Sequence, residues 1–365
     1  MSPDLIVVVT AVLVAVPCAL LGTFLVLRQM SMMGDAISHA VLPGIVVAFF
    51  LSESLGPITS LLGAGAFGLL TAALVEALKN TGRVKEDASI GIVFTALFAL
   101  GVFLISRFAS DVHLDLQHVL YGEIAFSPLN ALIVGSVNLG PRSFWTMGIV
   151  TAMALVVVLL LYKELKIATF DAGLAAAVGL SPALVHYLLM GAVSVTTVGA
   201  FDSVGAVLVV AFLIAPPATA YLLTDKLARM LALSTLLGVA SAVLGYYLAA
   251  SMDVAIAGMM AVVAGGFFSL ALLLSPSRGL VANSLRHRRN RRSFSRKLLL
   301  ARLEALGNRT TEAELCENLG WEAGRVSRAL ADALRGGLVL KPAAGEVTLT
   351  RKGREAATGP QAPVR

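Results

Sequence analysis

Long apolar stretches, each close to the length of a membrane-crossing helix, constrain this sequence more than any other feature. We find nine of them, at residues 5–27, 33–52, 58–78, 89–106, 144–163, 182–200, 203–223, 227–250 and 254–275. A helix needs about 20 predominantly apolar residues to span the hydrocarbon core of a bilayer. We therefore predict an all-α polytopic membrane protein with about nine transmembrane helices.

The amino-acid composition excludes a soluble globular protein of this length. Of the 365 residues, 58% are hydrophobic and 14% are charged, whereas soluble domains average about 45–50% apolar and about 25% charged residues. The N-terminus lacks a basic segment before its long apolar run, so we interpret it as a true span and not as a cleaved signal peptide. The two cysteines, Cys18 and Cys316, lie in different halves and indicate no disulfide framework.

The basic residues predict the orientation of the chain. The predicted loops on one side of the membrane carry Arg28, Lys79, Arg83, Lys85, Lys163, Lys166, Lys226 and Arg229. The same side receives the tail from Arg278 onward, which holds 18 of the 28 Lys and Arg residues but only 8 of the 22 Asp and Glu residues. Short loops rich in Lys and Arg face the cytoplasm. We therefore expect an outer N-terminus and a cytoplasmic C-terminal domain, with Arg107 as the one misplaced charge.

Two connections between predicted spans are long. Residues 107–143, on the outer side, contain two prolines and several glycines, and we expect short re-entrant or surface helices there, with an additional crossing left open. Residues 164–181 form a cytoplasmic connection of the length of a short helix flanked by turns.

The sequence pattern changes after the last span. We expect a transmembrane domain over 1–276, a basic linker over 277–293, a small domain over 294–358 and a flexible tail over 359–365. The small domain has the pattern of three helices followed by two short alternating strands, with Thr311 as the cap of its second helix. This order of elements predicts a winged-helix (α+β) domain.

The second span contains the most informative polar residues, in the segment RQMSMMGDAISHAVLPG. Asp35 and His39 are four residues apart, so a helix places them on one face, about 6 Å apart along its axis. Ionisable side chains inside a membrane usually face a bundle interior or a pathway. A carboxylate oxygen and an imidazole nitrogen together suit a divalent transition metal.

Two interpretations of this pair remain open on spacing alone. The pair either binds a metal ion or joins two helices as a satisfied polar contact. If two copies of the chain meet at a central pore, the site gains two Asp and two His ligands; these hold zinc directly, whereas manganese needs extra oxygens from water or carbonyls. Pro43 and Gly44 follow one turn later and indicate a bent helix near a cavity.

The segment LGTFLVLRQMSMMGDAISHAVLPG resembles the signature of the bacterial manganese, zinc and iron ABC-transporter permeases. The similarity extends over about residues 5–280, through FDAGLAAAVGL at 170–180 and two weaker stretches at 204–223 and 253–268. It implies a membrane subunit of a binding-protein-dependent metal importer in the bacterial cytoplasmic (inner) membrane.

The resemblance also implies roles for particular residues and partners. Asp35 and His39 correspond to the metal site in the translocation path. The segment 170–180 corresponds to the coupling segment that docks on the ATPase, with candidate residues Phe170, Asp171, Gly179 and Leu180. The implied partners are a cytoplasmic ABC ATPase, an extracytoplasmic metal-binding protein, a second permease copy or paralogue, and the lipid bilayer.

The resemblance implies no permanently bound cofactor, because Mn²⁺, Zn²⁺ or Fe²⁺ is the cargo, and the form of the signature favours Mn²⁺. No GxxxxGK[ST] motif occurs, so ATP hydrolysis must take place on a partner, and we expect a transporter subunit that is not itself an enzyme.

A second group of candidate metal ligands lies in the outer connection. The segment DVHLDLQHVL contains Asp111, His113, Asp115 and His118. These residues suit transient metal contacts at an outer mouth, or equally a polar surface helix near the lipid headgroups; we favour the surface helix.

The tail carries candidate contacts to nucleic acid or lipid: Arg325, Arg328, Arg335, Arg351 and Lys352. A basic third helix of a winged-helix domain suits DNA, but regulation or docking beside an anionic membrane is the interpretation that we favour. Two further function classes therefore remain open for the chain: a membrane-tethered, metal-responsive transcriptional regulator, or an ion-coupled secondary metal transporter.

Overall fold

A computed structural model of the chain describes residues 2–52, 57–108, 124–129, 131–134, 137–276, 278–307, 309–341 and 346–358. The chain divides into two compact units, Met1–Arg278 and Gly279–Arg365.

The first unit is a helical bundle with one small hairpin. Its helices are α1 (Pro3–Leu27), α2 (Met33–Ser52), α3 (Pro57–Asn80), α4 (Glu86–Phe108), α5 (Arg142–Leu160), α6 (Tyr162–Phe170), α7 (Ala172–Ala177), α8 (Pro182–Val204), α9 (Ala206–Leu223), α10 (Leu227–Met252) and α11 (Ile256–Leu274). Among the described residues, nine of these helices are long and apolar enough to cross a bilayer, which confirms the nine predicted spans. The two short helices α6 and α7 do not meet this criterion.

Helices α1, α2 and α8 are the most enclosed parts of the bundle. Small residues let their backbones come close to their neighbours. A Cβ atom added at Gly22 in α1 would lie only 2.1 Å from the carbonyl oxygen of Leu213 in α9. Gly44 of α2 and Gly63 of α3 meet in the same way, with 2.6 Å between the added Cβ of Gly44 and the Gly63 carbonyl oxygen. The bundle therefore holds α2 at short distance from α3.

The two long connections differ in part from the expectation. In the outer one, the described residues form a short 3-10 helix (Ile124–Leu129), which agrees with the expected short helices, and an antiparallel hairpin of β1 (Ala131–Val134) and β2 (Val137–Pro141), which was not expected. The inner one contains two helices and not one, because α5 stops at Leu160 and α6 and α7 follow. Asp111, His113, Asp115 and His118 lie outside the described residues, so their role stays a prediction.

The second unit combines four helices with a small sheet. Its elements are α12 (Leu280–Ala305), β3 (Arg309–Thr311), α13 (Glu312–Leu319), α14 (Ala323–Arg335), β4 (Val339–Leu340), β5 (Glu346–Leu349) and α15 (Arg351–Thr358). The strands form one antiparallel sheet in the order β3-β5-β4. Its own hydrophobic core includes Leu299, Leu303, Leu315, Val326 and Val347.

Three details of the second unit correct the sequence-based expectation. The segment expected to be a basic linker is largely helical, because α12 runs without a break from Leu280 to Ala305; arginine is a good helix former. A third strand, β3, joins the two predicted strands. Arg351 and Lys352, which follow the second predicted strand, begin helix α15.

The predicted cap of α13 is confirmed. The Thr311 hydroxyl accepts a hydrogen bond from the Glu314 backbone N–H, while the Glu314 carboxylate accepts from the Thr311 N–H at 3.1 Å. The Thr310 hydroxyl also donates to this carboxylate, at 2.6 Å. These bonds, that from Thr310 first, lower the pKa of the Glu314 carboxyl because they stabilise its ionised form.

Candidate metal site

Asp35 and His39 lie in the first two turns of α2, on one face of the helix as their spacing predicts. The His39 Nε2 atom is 3.7 Å from Asp35 Oδ1. Both side chains keep about a third of their surface accessible, 33% for His39 and 32% for Asp35. A carboxylate oxygen and an imidazole nitrogen therefore point toward one another at the edge of an accessible space, which is the arrangement that a shared cation requires.

A single chain provides only part of a metal coordination shell. Among the described residues, no third Asp, Glu, His or Cys side chain joins this pair to form a group that could enclose a metal ion. Two protein ligands are too few for a transition metal, which takes at least four. Further ligands for a metal ion at this pair would come from outside the described residues of this chain, from water, from backbone carbonyls or from a second chain.

The sequence provides one such carbonyl on α2 itself. Proline has no backbone N–H and therefore cannot donate to the carbonyl four residues before it. Pro43 lies inside α2, so the carbonyl of His39 lacks its usual helical donor. Backbone carbonyl oxygens are ligands that suit Mn²⁺.

Helix α4 covers the His39 ring with two phenylalanines, which sequence reasoning did not identify. The ring centroids of Phe94 and Phe98 are 5.2 Å and 5.4 Å from that of His39. The His39 Nδ1 atom is buried and has no hydrogen-bond partner among the described residues. The spacing of Phe94 and Phe98, four residues apart, is the only sequence signal for this contact, and any apolar helix face has it.

Gly101, one turn beyond Phe98, allows α4 to come this close. A Cβ atom added at Gly101 would lie 2.8 Å from Pro43 Cδ and 2.9 Å from Pro43 N. The two helices therefore touch where α2 is interrupted by its proline, and the contact determines how far Phe94 and Phe98 stand from His39.

The predicted coupling residues lie around α7. The Asp171 carboxylate caps this helix by accepting from the Leu174 N–H at 2.9 Å. Gly179 has a φ of 85°, a conformation that glycine adopts without strain. Phe170, the last residue of α6, is 61% exposed, and two residues that sequence reasoning did not identify are exposed as well: Leu174 in α7 at 51% and Val178 directly after it at 59%. Leu180 is half-buried at the end of this segment.

A hydrogen bond ties the end of α1 to the segment that leads into α7. The Arg28 Nε atom donates to the Thr169 hydroxyl at 3.1 Å, and Arg28 Nη1 lies 3.4 Å from His186 Nδ1 in α8. Arg28 directly follows α1, and the turn after it leads into α2. The helix with the Asp35–His39 pair is thus linked through one guanidinium to the α6–α7 region.

In the second unit, Arg325 is engaged within the fold. Its guanidinium lies over the Trp321 ring at 4.2 Å and donates to the Ser295 hydroxyl at 3.4 Å. The Arg328 Nε atom donates to the Gly324 carbonyl at 2.8 Å.

The other three basic candidates lie on the surface of the second unit. Arg335 is 3.6 Å from Asp332, and Arg351 is 3.7 Å from Glu355, each one turn away on the same helix. Lys352 is exposed. Exposed pairs of this kind contribute little to stability.

The sequence is similar to the membrane proteins of manganese and zinc transport systems. It is 52% identical to the manganese transport system membrane protein MntD of Bacillus subtilis over 286 residues, which cover 78% of this chain and 97% of that protein. It is 46% identical to the zinc transport system membrane protein TroD of Treponema pallidum over 341 residues, 91% of this chain and 92% of that protein.

The fold is similar to that of a solved transporter structure. The structure of PsaBC from Streptococcus pneumoniae in complex with a Fab superimposes with a TM-score of 0.62 at 36% identity, covering 76% of this chain and 94% of that chain. Residues 5–275, which overlap each of the nine candidate spans, match the ABC 3 transport family. The chain is therefore a multi-pass membrane protein that belongs to the ABC 3 transport family.

Proposed function

We propose that this protein is the membrane permease of an ATP-driven importer of divalent transition metal ions, with Mn²⁺ as the preferred cargo and Zn²⁺ and Fe²⁺ as competitors. The observation that carries the proposal is the Asp35–His39 pair, an accessible oxygen and nitrogen 3.7 Å apart in a membrane-spanning helix. The names of the relatives, which mention manganese and zinc transport, agree with this donor set.

The cargo preference follows from the donors that α2 presents. Mn²⁺ favours oxygen ligands and more than four of them, whereas Zn²⁺ is satisfied by four donors that include nitrogen. Asp35 offers one carboxylate for each imidazole, and the rest of the coordination shell would be oxygen from water or from a second chain. Two chains meeting at a central path would double this set. The supply of oxygen favours Mn²⁺.

ATP hydrolysis is assigned to a separate cytoplasmic ATPase that docks on α7. Phe170, Leu174 and Val178 are exposed apolar side chains and would enter a groove of this partner. The motion would pass through Thr169 and Arg28 to the start of α2. An extracytoplasmic binding protein would deliver the ion on the opposite side.

We infer that the second unit is a cytoplasmic winged-helix module that regulates or docks the transporter. Its order of one helix, one strand, two helices and two strands supports this fold. Arg325, the candidate for groove contacts, is committed to Trp321 and Ser295, which favours docking over DNA binding. The relative MntD is matched along 97% of its length by 78% of this chain, which supports an accessory role.

Uptake of radioactive Mn²⁺ by cells that also express the ATPase and binding protein tests the site. Asp35→Ala and His39→Ala should each abolish uptake, because either change removes half of the protein side-chain ligands, while the amount of permease in the membrane stays normal. Asp87→Ala, which removes an exposed carboxylate at the start of α4, is the matched control and should transport normally.

Wild-type uptake in both Asp35→Ala and His39→Ala would refute the proposal. An inactive ATPase partner should also stop uptake, whereas continued uptake would identify an ion-coupled secondary transporter.

A further inference from the structure

The buried nitrogen of His39 is unusual for a metal ligand. Histidines that bind metals almost always donate the second ring N–H to a carboxylate, a carbonyl or a water molecule. In His39, Nε2 faces Asp35, and the other nitrogen, Nδ1, is buried without a hydrogen-bond partner among the described residues. The atoms that bury Nδ1 belong to this chain, so a second subunit cannot reach it without displacing them.

The residues beside the ring have no acceptor to offer. Phe94 and Phe98 lie 5.2 Å and 5.4 Å from the His39 ring, centroid to centroid, one tilted by 37° and the other nearly perpendicular at 81°. Their side chains contain only carbon and hydrogen. A neutral imidazole carries one N–H, and when Nε2 binds a cation the hydrogen must sit on the enclosed Nδ1.

The absence of an acceptor has a consequence for affinity. A hydrogen bond to the second nitrogen raises the basicity of a metal-binding imidazole, and losing it typically lowers metal affinity by about 10–100-fold. A ligand that is held only by packing is correctly oriented but binds weakly. Weak binding suits a transport site, because an ion that is bound too tightly cannot leave within one transport cycle.

We propose that Phe94 and Phe98 are positioning residues that orient His39 by packing alone and, by withholding an acceptor from Nδ1, keep the affinity for the transported divalent cation low enough for release. This inference rests on the proposed function, because it requires Asp35 and His39 to be the site that the ion passes.

The position of the two rings is specified by backbone contact. Phe94, Phe98 and Gly101 follow one another at intervals of four and three residues, so they share one face of α4. Gly101 rests directly on Pro43, one turn after His39 on α2. The aromatic cover therefore packs directly on the same helix that carries the ligand.

Glutamine at either phenylalanine position tests the proposal, because it introduces one carbonyl acceptor beside Nδ1. Phe94→Gln and Phe98→Gln are compared with Phe94→Leu and Phe98→Leu, which keep an apolar cover without adding an acceptor. Binding of Mn²⁺ to the purified full-length permease is followed by loss of the electron paramagnetic resonance signal of free Mn²⁺, and coupling of bound Mn²⁺ to an imidazole nitrogen identifies the ligand.

At least one glutamine variant should bind Mn²⁺ about 10-fold more tightly than the wild type, with the imidazole coupling retained, and should transport it more slowly. The leucine variants, which lose part of the aromatic packing and gain no acceptor, should not bind Mn²⁺ more tightly than the wild type. Damage to the fold would weaken binding, so a gain in affinity separates the proposed role from a structural one.

Unchanged or weaker Mn²⁺ binding in both glutamine variants would overturn this proposal and leave the proposed function intact. If instead the wild type binds no Mn²⁺, or binds it as well after Asp35→Ala, the assignment of the site itself fails.

Discussion

Replacing Gly101 by alanine should disturb both the packing and the transport site. The added Cβ would lie 2.8 Å from Pro43 Cδ and 2.9 Å from Pro43 N, whereas carbon atoms in good contact are about 3.5–4.0 Å apart. Neither proline atom can rotate away, so α4 must retreat by roughly 0.7 Å or more to reach that separation. Overpacking of this kind typically costs about 1–3 kcal/mol, of which the better helix propensity of alanine offsets up to about 1 kcal/mol.

The same displacement would move Phe94 and Phe98 away from the His39 ring. We therefore expect Gly101→Ala to lower the melting temperature of the purified permease and to slow Mn²⁺ uptake at equal membrane abundance. The matched control is Gly91→Ala on the same helix, because a Cβ added there meets no atom within 4 Å. If the two variants melt and transport alike, the close contact between α2 and α4 does not exist as described.

Two further predictions concern the partner surface and the second unit. The double variant Phe170→Ala with Leu174→Ala should reduce co-purification of the ATPase at least 10-fold, since burying a large apolar side chain contributes about 1.5–3 kcal/mol. The control is Leu159→Ala, which changes an exposed leucine in α5. Undiminished co-purification of the double variant would contradict the docking surface. Because its hydrogen bonds lower the pKa of Glu314 below the usual 4.5, ionised Glu314 stabilises the fold above pH 4.5 and this stabilisation is lost as the pH falls through the lowered value. Thermal unfolding is followed by the tryptophan of the second unit, after the other tryptophan is changed to phenylalanine. Glu314→Gln should be less stable than wild type at pH 7, and the difference should shrink as the pH falls below 4.5, whereas Glu317→Gln should follow the wild type. A difference between Glu314→Gln and wild type that does not change with pH would refute the linkage.

The sequence alone predicted the nine spans, the shared face of Asp35 and His39, and the capping box at Thr311. Each of these features depends on residues within one or a few helical turns. Apolar length, a spacing of four residues and the Thr–Glu pattern act through local geometry, which is the same wherever the helix lies in the bundle. Local features of this kind can be predicted without knowing the neighbouring helices.

The outer hairpin and the third strand of the second unit were decided by tertiary structure. Both depend on pairing with a neighbouring segment: β3 has only three residues, too few for a strand pattern, and is formed because β5 lies beside it. Likewise, the exposure of Leu174 could be known only from the structure, because it depends on which surfaces the neighbouring helices leave uncovered.

The surroundings of the Asp35–His39 pair were also beyond the reach of the sequence. Phe94 and Phe98 look like ordinary lipid-facing or core residues until Gly101 brings α4 against Pro43 and places both rings on His39. The sequence by itself therefore determined which two side chains are available to hold a cation. Only the tertiary structure decided how firmly His39 is held and what its second nitrogen faces, because these properties depend on contacts between residues that are more than 50 positions apart in the chain.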